Sequence, residues 1–468
     1  MKRVPPSPQV LSDLYLDYKN SKFKGSFKKY LESIGFIDPS VDVNGMDDKV
    51  RSVMAAPGVP QLVNVPTKSI TGQLRIKVLM IDFSDKLGTL SPKHFEDLLF
   101  SKGKYPSGSL VDYYDEVTIG KVKITGSVHG WLRMPQPYSY YTNNSSGMSN
   151  TSYPRNAQKM AEDAVAEAIR QNVPFENDLD KLGEGIITAL FIIHAGRGGE
   201  ELPAAMGKQE IWSHKWNLKI PNQIKPSLAA SIYLTVPEDC KLGVCAHELG
   251  HLAFQWDDFY DPNYKDDGIA WSGSGNWDLM AGGSWNNGGA TPAHPAGVHK
   301  AQHKWITVKQ INSSQKIVLK PYSKKSGGVL KLTSQSFKNG QYLVLENRTR
   351  KGFDQFLPGS GLMVWRMDES QEMTAPNDPA LLLIQADGLH NLEENWNEGD
   401  AGDPFPGTAK KTKLGDTGKI STSFPGQPKS GIEISDIQIN SLTKEISMQI
   451  KLAGASASSR KKTKNRKR

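Results

Sequence analysis

The run LRIKVLMIDF at Leu74–Phe83 is almost continuously apolar, the pattern of a strand buried on both faces. Ile186–His194 (IITALFIIH) repeats that pattern, and Ser231–Val236 gives a third buried strand. Helical periods lie between them. Ser91–Leu99 is one; Asn156–Arg170 is another, with Met160, Ala164, Val165 and Ile169 along one side. Leu242–Gln255 follows the third strand directly and reads as a helix. Nearer the N-terminus, Val10, Leu11, Leu14, Leu16 and Tyr18 predict a helix-like stretch within Pro8 to Ile34. After about residue 310 the texture changes to short alternating runs. These are Lys316–Leu319, Val329–Thr333, Tyr342–Glu346, Gly361–Arg366, Ala380–Ala386, Ile432–Ile439 and Ile446–Leu452, separated by Gly, Pro, Asn and Asp. They predict an all-β sandwich.

The pattern divides the chain into an N-terminal segment at 1–45 and a polar, Pro-punctuated connector at 46–68. A mixed α/β domain follows at 69–310, then the sandwich at 311–452 and a Ser-rich, basic tail at 453–468. The tail has nothing to bury and is expected to be disordered. No apolar run is long enough to span a membrane, and the N-terminus shows no signal-peptide core. The formal net charge is +8. Seven of those charges sit in Arg460, Lys461, Lys462, Lys464, Arg466, Lys467 and Arg468, which leaves +1 for residues 1–459. The basic balance therefore belongs to a tail that could tether an anionic surface or simply be solvated. Without a recognition motif, nucleic-acid binding is disfavoured.

The sharpest chemistry is His247-Glu248-Leu249-Gly250-His251. On a helix the two histidines lie one turn apart on the same face and can share one Zn²⁺. Glu248 stands beside the first ligand, placed to act as base toward a zinc-bound water and then to protonate the leaving amine. Gly250 costs a helix about 1 kcal/mol, which suggests close packing there. A catalytic zinc needs a third protein ligand and an open position. Asp257 is the first expectation for that ligand and Asp258 the alternative; solvation at a helix end is the competing reading. Downstream, Met280 lies in a Gly-flanked turn, either as a floor beneath the zinc or as filling for a core gap. Cys240 and Cys245 are the only cysteines. They exclude a disulfide-rich scaffold and leave open a small disulfide loop or two reduced buried thiols.

Taken together, several motifs resemble the M6 metallopeptidases, the immune inhibitor A family of the metzincin clan. They include Thr71–Phe83, Ser109–Tyr114, Ile193–Gly196, Trp212–His214, His247–Asp261 and Trp277–Met280. Leu345–Arg348 and Gly399–Pro404 extend the likeness, and Pro5–Pro8 with Val10-Leu11 resembles the family's pro-segment.

The resemblance implies a zincin-type α/β (α+β) catalytic domain with an active-site helix and a Met-turn, followed by a β-sandwich. It implies a zinc endopeptidase acting on protein or peptide substrates, with export from the cell. By carry-over, His247 and His251 are ligands, Glu248 is the base, Met280 is the Met-turn residue and Asp257 is the acidic third ligand. Two departures stand out. Phe254 replaces the usual glycine of the turn, and the acidic run after it is one residue longer, so that a shifted alignment would make Asp258 the ligand in place of Asp257. Structural Ca²⁺ at Asp261, Asp266, Asp267, Asp400 and Asp403 is weighed evenly against solvated surface, as is the loop Asn177–Gly183. An acid of the N-terminal segment, Asp13 or Asp17, could plug the zinc. The competing function is a catalytically silent relative that binds or adheres through its sandwich.

Overall fold

The computed structural model describes residues 2–36, 63–66, 68–261, 272–323, 326–371 and 379–453. The two strongest apolar runs form the centre of a six-stranded sheet. Its strands are β1 (Lys2–Arg3), β2 (Gly72–Asp82), β3 (Val122–Arg133), β4 (Leu190–His194), β5 (His214–Lys225) and β6 (Leu228–Pro237), in the spatial order β1-β5-β6-β4-β2-β3. β3, β2, β4 and β6 run parallel; β5 is antiparallel to β6 and β1 is antiparallel to β5. All five residues of β4 are buried, as a parallel strand covered on both faces requires.

The helices α1 (Pro8–Asn20), α2 (Phe27–Ser33), α3 (Pro92–Phe100), α4 (Leu110–Val117), α5 (Tyr138–Thr142), α6 (Ala157–Arg170), α7 (Ala204–Gly207), α8 (Leu242–Leu252) and α9 (Gly297–Gln302) complete the regular elements before residue 303. Side-chain caps explain several starts. Ser91 caps α3, Asn156 caps α6, and Ser109 with Asp112 forms a reciprocal capping box on α4.

Two sheets follow. One has the order β12-β11-β10-β9-β7, from β7 (Thr307–Ile311), β9 (Gly328–Leu332), β10 (Gln341–Arg348), β11 (Gly361–Asp368) and β12 (Leu381–Leu383). The other is β13-β14-β8, from β8 (Gln315–Leu319), β13 (Ile432–Ile439) and β14 (Ile446–Leu452). Leu343, Leu345, Leu362 and Val364 of the first share a core with Ile317, Ile434, Met448 and Ile450 of the second. The five-stranded sheet turns its other face to the segment at residues 277–298. Val329, Val344, Met363 and Trp365 form one apolar cluster with Trp277, Ala293, Ala296 and Val298.

A buried polar network crosses the same boundary. Arg348 on β10 donates to the Trp277 carbonyl at 2.7 Å, to the His294 carbonyl and to Asp354. Asp403 accepts from the Trp277 indole at 2.9 Å, and Glu346 accepts from the Gly297 N–H at 2.7 Å. Lys300 lies 2.8 Å from His294 Nδ1, and the other nitrogen of that ring lies 2.7 Å from Glu116. Burial lowers the Lys300 ammonium to about 7.

Several expectations are corrected. The N-terminal helical stretch breaks into α1 and α2, because Ser21 ends the first and Ser26 caps the second. α8 stops at Leu252, three residues short of the predicted end. The Ala380–Ala386 run is a strand only over Leu381–Leu383. β1, β3, β5 and β7 have no counterpart in the apolar pattern; β3, β5 and β7 carry many half-exposed or exposed positions. No helix among the described residues is long and apolar enough to cross a membrane. The tail beyond residue 453 and most of the connector lie outside the described residues.

Candidate metal centre

β6 delivers the chain into α8, and every residue of α8 is buried. The one-turn spacing places His247 and His251 side by side, with Nε2 atoms 3.0 Å apart. Each ring is oriented through its other nitrogen. His247 Nδ1 lies 2.9 Å from the Leu279 carbonyl, and His251 Nδ1 lies 2.6 Å from the Trp256 carbonyl. A carbonyl can only accept, so both Nδ1 atoms carry the proton and both Nε2 atoms present lone pairs.

Asp258 Oδ1 meets these lone pairs, 3.0 Å from His251 Nε2 and 3.2 Å from His247 Nε2. Asp257 does not. Its two carboxylate oxygens accept from the Asn64 backbone N–H and side-chain amide, each at 2.6 Å. The expectation of Asp257 at the site is therefore corrected to Asp258. The cause lies in the turn. The left-handed residue is Gln255, at φ 60°, and not Phe254. Phe254 instead sits fully buried among Tyr114, Trp256, His303 and Trp305. The longer acidic run moves both the turn and the carboxylate one position along.

Three mutually repelling acceptors held this close form a group suited to a metal ion. Tetrahedral ligands at about 2.0–2.1 Å from a common ion would stand about 3.3 Å apart, close to the separations found here. Burial lowers His251.

Glu248 follows the first histidine and is fully buried, and neither of its carboxylate oxygens closes a hydrogen bond of normal geometry. The backbone N–H of Val4 faces it. Burial first, then the Asp258 charge, pushes the Glu248 carboxyl well above the ordinary glutamate value. Met280 packs against α8 at Gly250. A Cβ added at Gly250 would stand 2.8 Å from Met280 Sδ and 2.8 Å from the Trp256 ring, which is why only glycine fits there. Asp278 shapes the Met280 turn by accepting from the Met280 and Ala296 N–H groups at 3.1 and 2.9 Å.

The remaining expectations fare unevenly. Asp400 and Asp403 converge with Asp387 into a second acidic group. Asp261 joins no such group among the described residues, and Asp266 and Asp267 lie outside them. Nothing beyond this proximity supports calcium. In the Asn177–Gly183 loop, Asp178 pairs with Arg75, and Asp180 accepts from the Glu184 and Gly185 N–H groups. Those carboxylates are engaged without a metal. Asp13 and Asp17 are exposed on α1, so neither is buried in the site as a plug would be. Cys240 and Cys245 are buried free thiols with sulfurs 3.5 Å apart.

Sequence reasoning missed the groups around the N-terminal strand. Trp212 Nε1 donates to the Val4 carbonyl at 3.0 Å, and Trp285 Nε1 donates to the Pro5 carbonyl at 2.8 Å. The buried Glu200 accepts from the Ser213 N–H and hydroxyl, bracing the start of β5. Burial raises its carboxyl to about 7. Tryptophans flanking the two site motifs were the available signal.

Residues 82–312 match the immune inhibitor A peptidase M6 catalytic domain. The chain is 32% identical over 230 residues to the pre-pro-metalloprotease PrtV of Vibrio cholerae, covering 43% of this chain and 25% of that protein. It is 28% identical over 232 residues to immune inhibitor A of Bacillus thuringiensis, covering 43% of this chain and 33% of the relative. The matched region thus spans a quarter to a third of these relatives. Residues 82–312, which contain the His247–His251–Asp258 group, thus carry the catalytic-domain pattern of the M6 metallopeptidases.

Proposed function

We propose that the chain is a zinc-dependent endopeptidase that hydrolyses internal peptide bonds of proteins. The observation that carries this reading is the convergence of three buried metal-ligand atoms beside the fully buried Glu248. His247, His251 and Asp258 would hold the ion. When bound, zinc supplies Lewis acidity to the scissile carbonyl and acidifies the attacking water.

The rest is the work of this chain's own side chains. The Leu279 and Trp256 carbonyls fix each imidazole in the tautomer that leaves Nε2 free. Glu248 takes the proton from the attacking water and hands it to the leaving amine. Met280 acts as the Met-turn floor of a zincin-type site. Residues 69–310 would form the catalytic domain and 311–452 the sandwich, and the family likeness favours action outside the cell. The silent-relative reading drew on Phe254 at the turn, and that objection falls away because the left-handed residue is Gln255.

The test is metal analysis with casein hydrolysis. One zinc per chain and chelator-sensitive cleavage are expected. Glu248→Ala should keep the zinc and lose roughly 10²–10⁴-fold in rate. A folded, zinc-loaded protein that leaves casein intact even after N-terminal trimming would sink the reading.

A further inference from the structure

The two cysteines stand at the corner where β6 hands the chain to α8. Cys240 lies in the turn between Pro237, which ends β6, and Leu242, which begins α8; Cys245 is on α8 itself. Their sulfurs are 3.5 Å apart and both side chains are buried. A disulfide brings sulfurs to about 2.0 Å, so the remaining gap is about 1.5 Å, within reach of a side-chain rotation on the turn residue. The pair does not extend the metal centre. Cys245 precedes His247 by two residues, about 200° around the helix, so its side chain leaves the opposite face. Among the described residues no third His, Cys, Asp or Glu joins the two sulfurs in a ligand group. The corner also lacks the fastening that other helices have. Ser91, Ser109 and Asn156 cap α3, α4 and α6 through their side chains, whereas Lys241 makes no such cap on α8. The first turn of α8 is tied down by the Gly243 N–H, which donates to the Gly289 carbonyl at 2.8 Å.

We propose that Cys240 and Cys245 are a disulfide-forming pair that fastens the entry to the histidine-bearing helix. The oxidant is a low-molecular-weight disulfide. Cys240 is 6% exposed and Cys245 is fully enclosed, so Cys240 meets the oxidant first. The Cys240 sulfur gives up its proton and attacks one sulfur of the oxidant, whose S–S bond breaks and releases one thiol. The Cys245 sulfur then gives up its proton and displaces the second thiol from Cys240. Two S–H bonds and the oxidant's S–S bond are thereby exchanged for one Sγ–Sγ bond and two small thiols. The cysteines are oxidised and the small disulfide is reduced. The closed loop runs from residue 240 to 245 and takes in the uncapped start of α8. For a loop of that length, the entropy removed from the opened chain corresponds to roughly 40-fold protection against opening. His247 and His251 follow directly on the fastened turn, so the bond steadies the metal-ligand group without touching a ligand. It does so whether or not the chain cleaves peptides.

The experiment uses the full wild-type chain, incubated with excess oxidised glutathione or with a phosphine reductant. Titration of the denatured protein should count no free thiol after the first treatment and both cysteines after the second. The oxidised protein should be about 2 Da lighter and yield a peptide joined through Cys240 and Cys245. Hydrogen exchange at the α8 amides should slow roughly 40-fold on oxidation, while α6 is unaffected. The Cys240→Ala/Cys245→Ala double variant should exchange at the same rate under both treatments. Cys240→Ser serves as that control if the double variant does not fold, and its enclosed Cys245 should take up no glutathione in the folded protein. Two thiols that survive the oxidant overturn the proposal, as does a glutathione adduct that persists on wild-type Cys240. A disulfide that forms but leaves α8 exchange unchanged overturns the fastening role.

Discussion

Exchanging the charges of two adjacent aspartates separates the sequence reading of this site from its geometry. Asp258→Asn keeps the shape of the side chain and removes the anion that lies 3.0 and 3.2 Å from the two Nε2 atoms. Metal-free, the substitution should be tolerated, because an amide N–H₂ can donate to imidazole lone pairs that the carboxylate could only oppose. Metal-bound, it deletes one of three protein ligands. Apparent zinc affinities of about 10–16 kcal/mol are spread over four ligands in structural sites, so one ligand corresponds to about 3 kcal/mol. That predicts a loss of roughly 100-fold in zinc affinity. Asp257→Asn should do the reverse. It leaves the metal ligands intact but sets an amide against the donors of Asn64, costing about 1–3 kcal/mol of stability. Competition with a chromophoric chelator reads the affinity, and thermal unfolding of the metal-free proteins reads the stability. If Asp257→Asn weakens zinc 100-fold while Asp258→Asn leaves it within threefold, the placement of the turn is wrong.

Three further expectations follow from the same region. Gly250→Ala forces a methyl to 2.8 Å from Met280 and Trp256, so it should destabilise by about 1–3 kcal/mol in chemical denaturation and lower zinc occupancy. Gln255→Gly relieves a left-handed residue and should be neutral or stabilising by up to about 1 kcal/mol. Phe254→Gly empties an aromatic cluster and should cost at least 3–5 kcal/mol in the same assay. Glu200 favours its protonated form in the folded protein. The stability it lends is full below about 4.5 and is lost as pH rises through about 7, roughly 3 kcal/mol in all. Glu200→Gln should flatten that part of the stability–pH curve while keeping a partner for Ser213.

The buried strands of the six-stranded sheet were legible because parallel strands covered on both faces admit few polar residues; Leu74–Phe83 is apolar except at Arg75, Lys77 and Asp82, and Ile186–His194 except at Thr188 and His194. The histidine pair was legible because helix geometry fixes what lies one turn away. β5 was not. Its residues Lys219, Pro221 and Lys225 belong to a strand half open to solvent, whose pairing is set by β6 and not by its own pattern. The choice between Asp257 and Asp258 turned on which residue takes the left-handed conformation. That is decided by the aromatic cage around Phe254, assembled from Tyr114, His303 and Trp305, which lie far away in the chain. The N-terminal strand was hidden for a related reason, since two residues carry no periodicity.

The contacts of Arg348, Glu346 and Asp403 have a consequence for where this protein can be cut. The segment that orients His247 runs through Leu279, and Trp277, two residues earlier, is gripped at both its carbonyl and its indole by groups from beyond residue 340. A chain ended near residue 312, where the family match stops, would lose those grips and lay bare Trp277, Ala293 and Val298. The boundary of sequence likeness is thus not a boundary of cooperative folding.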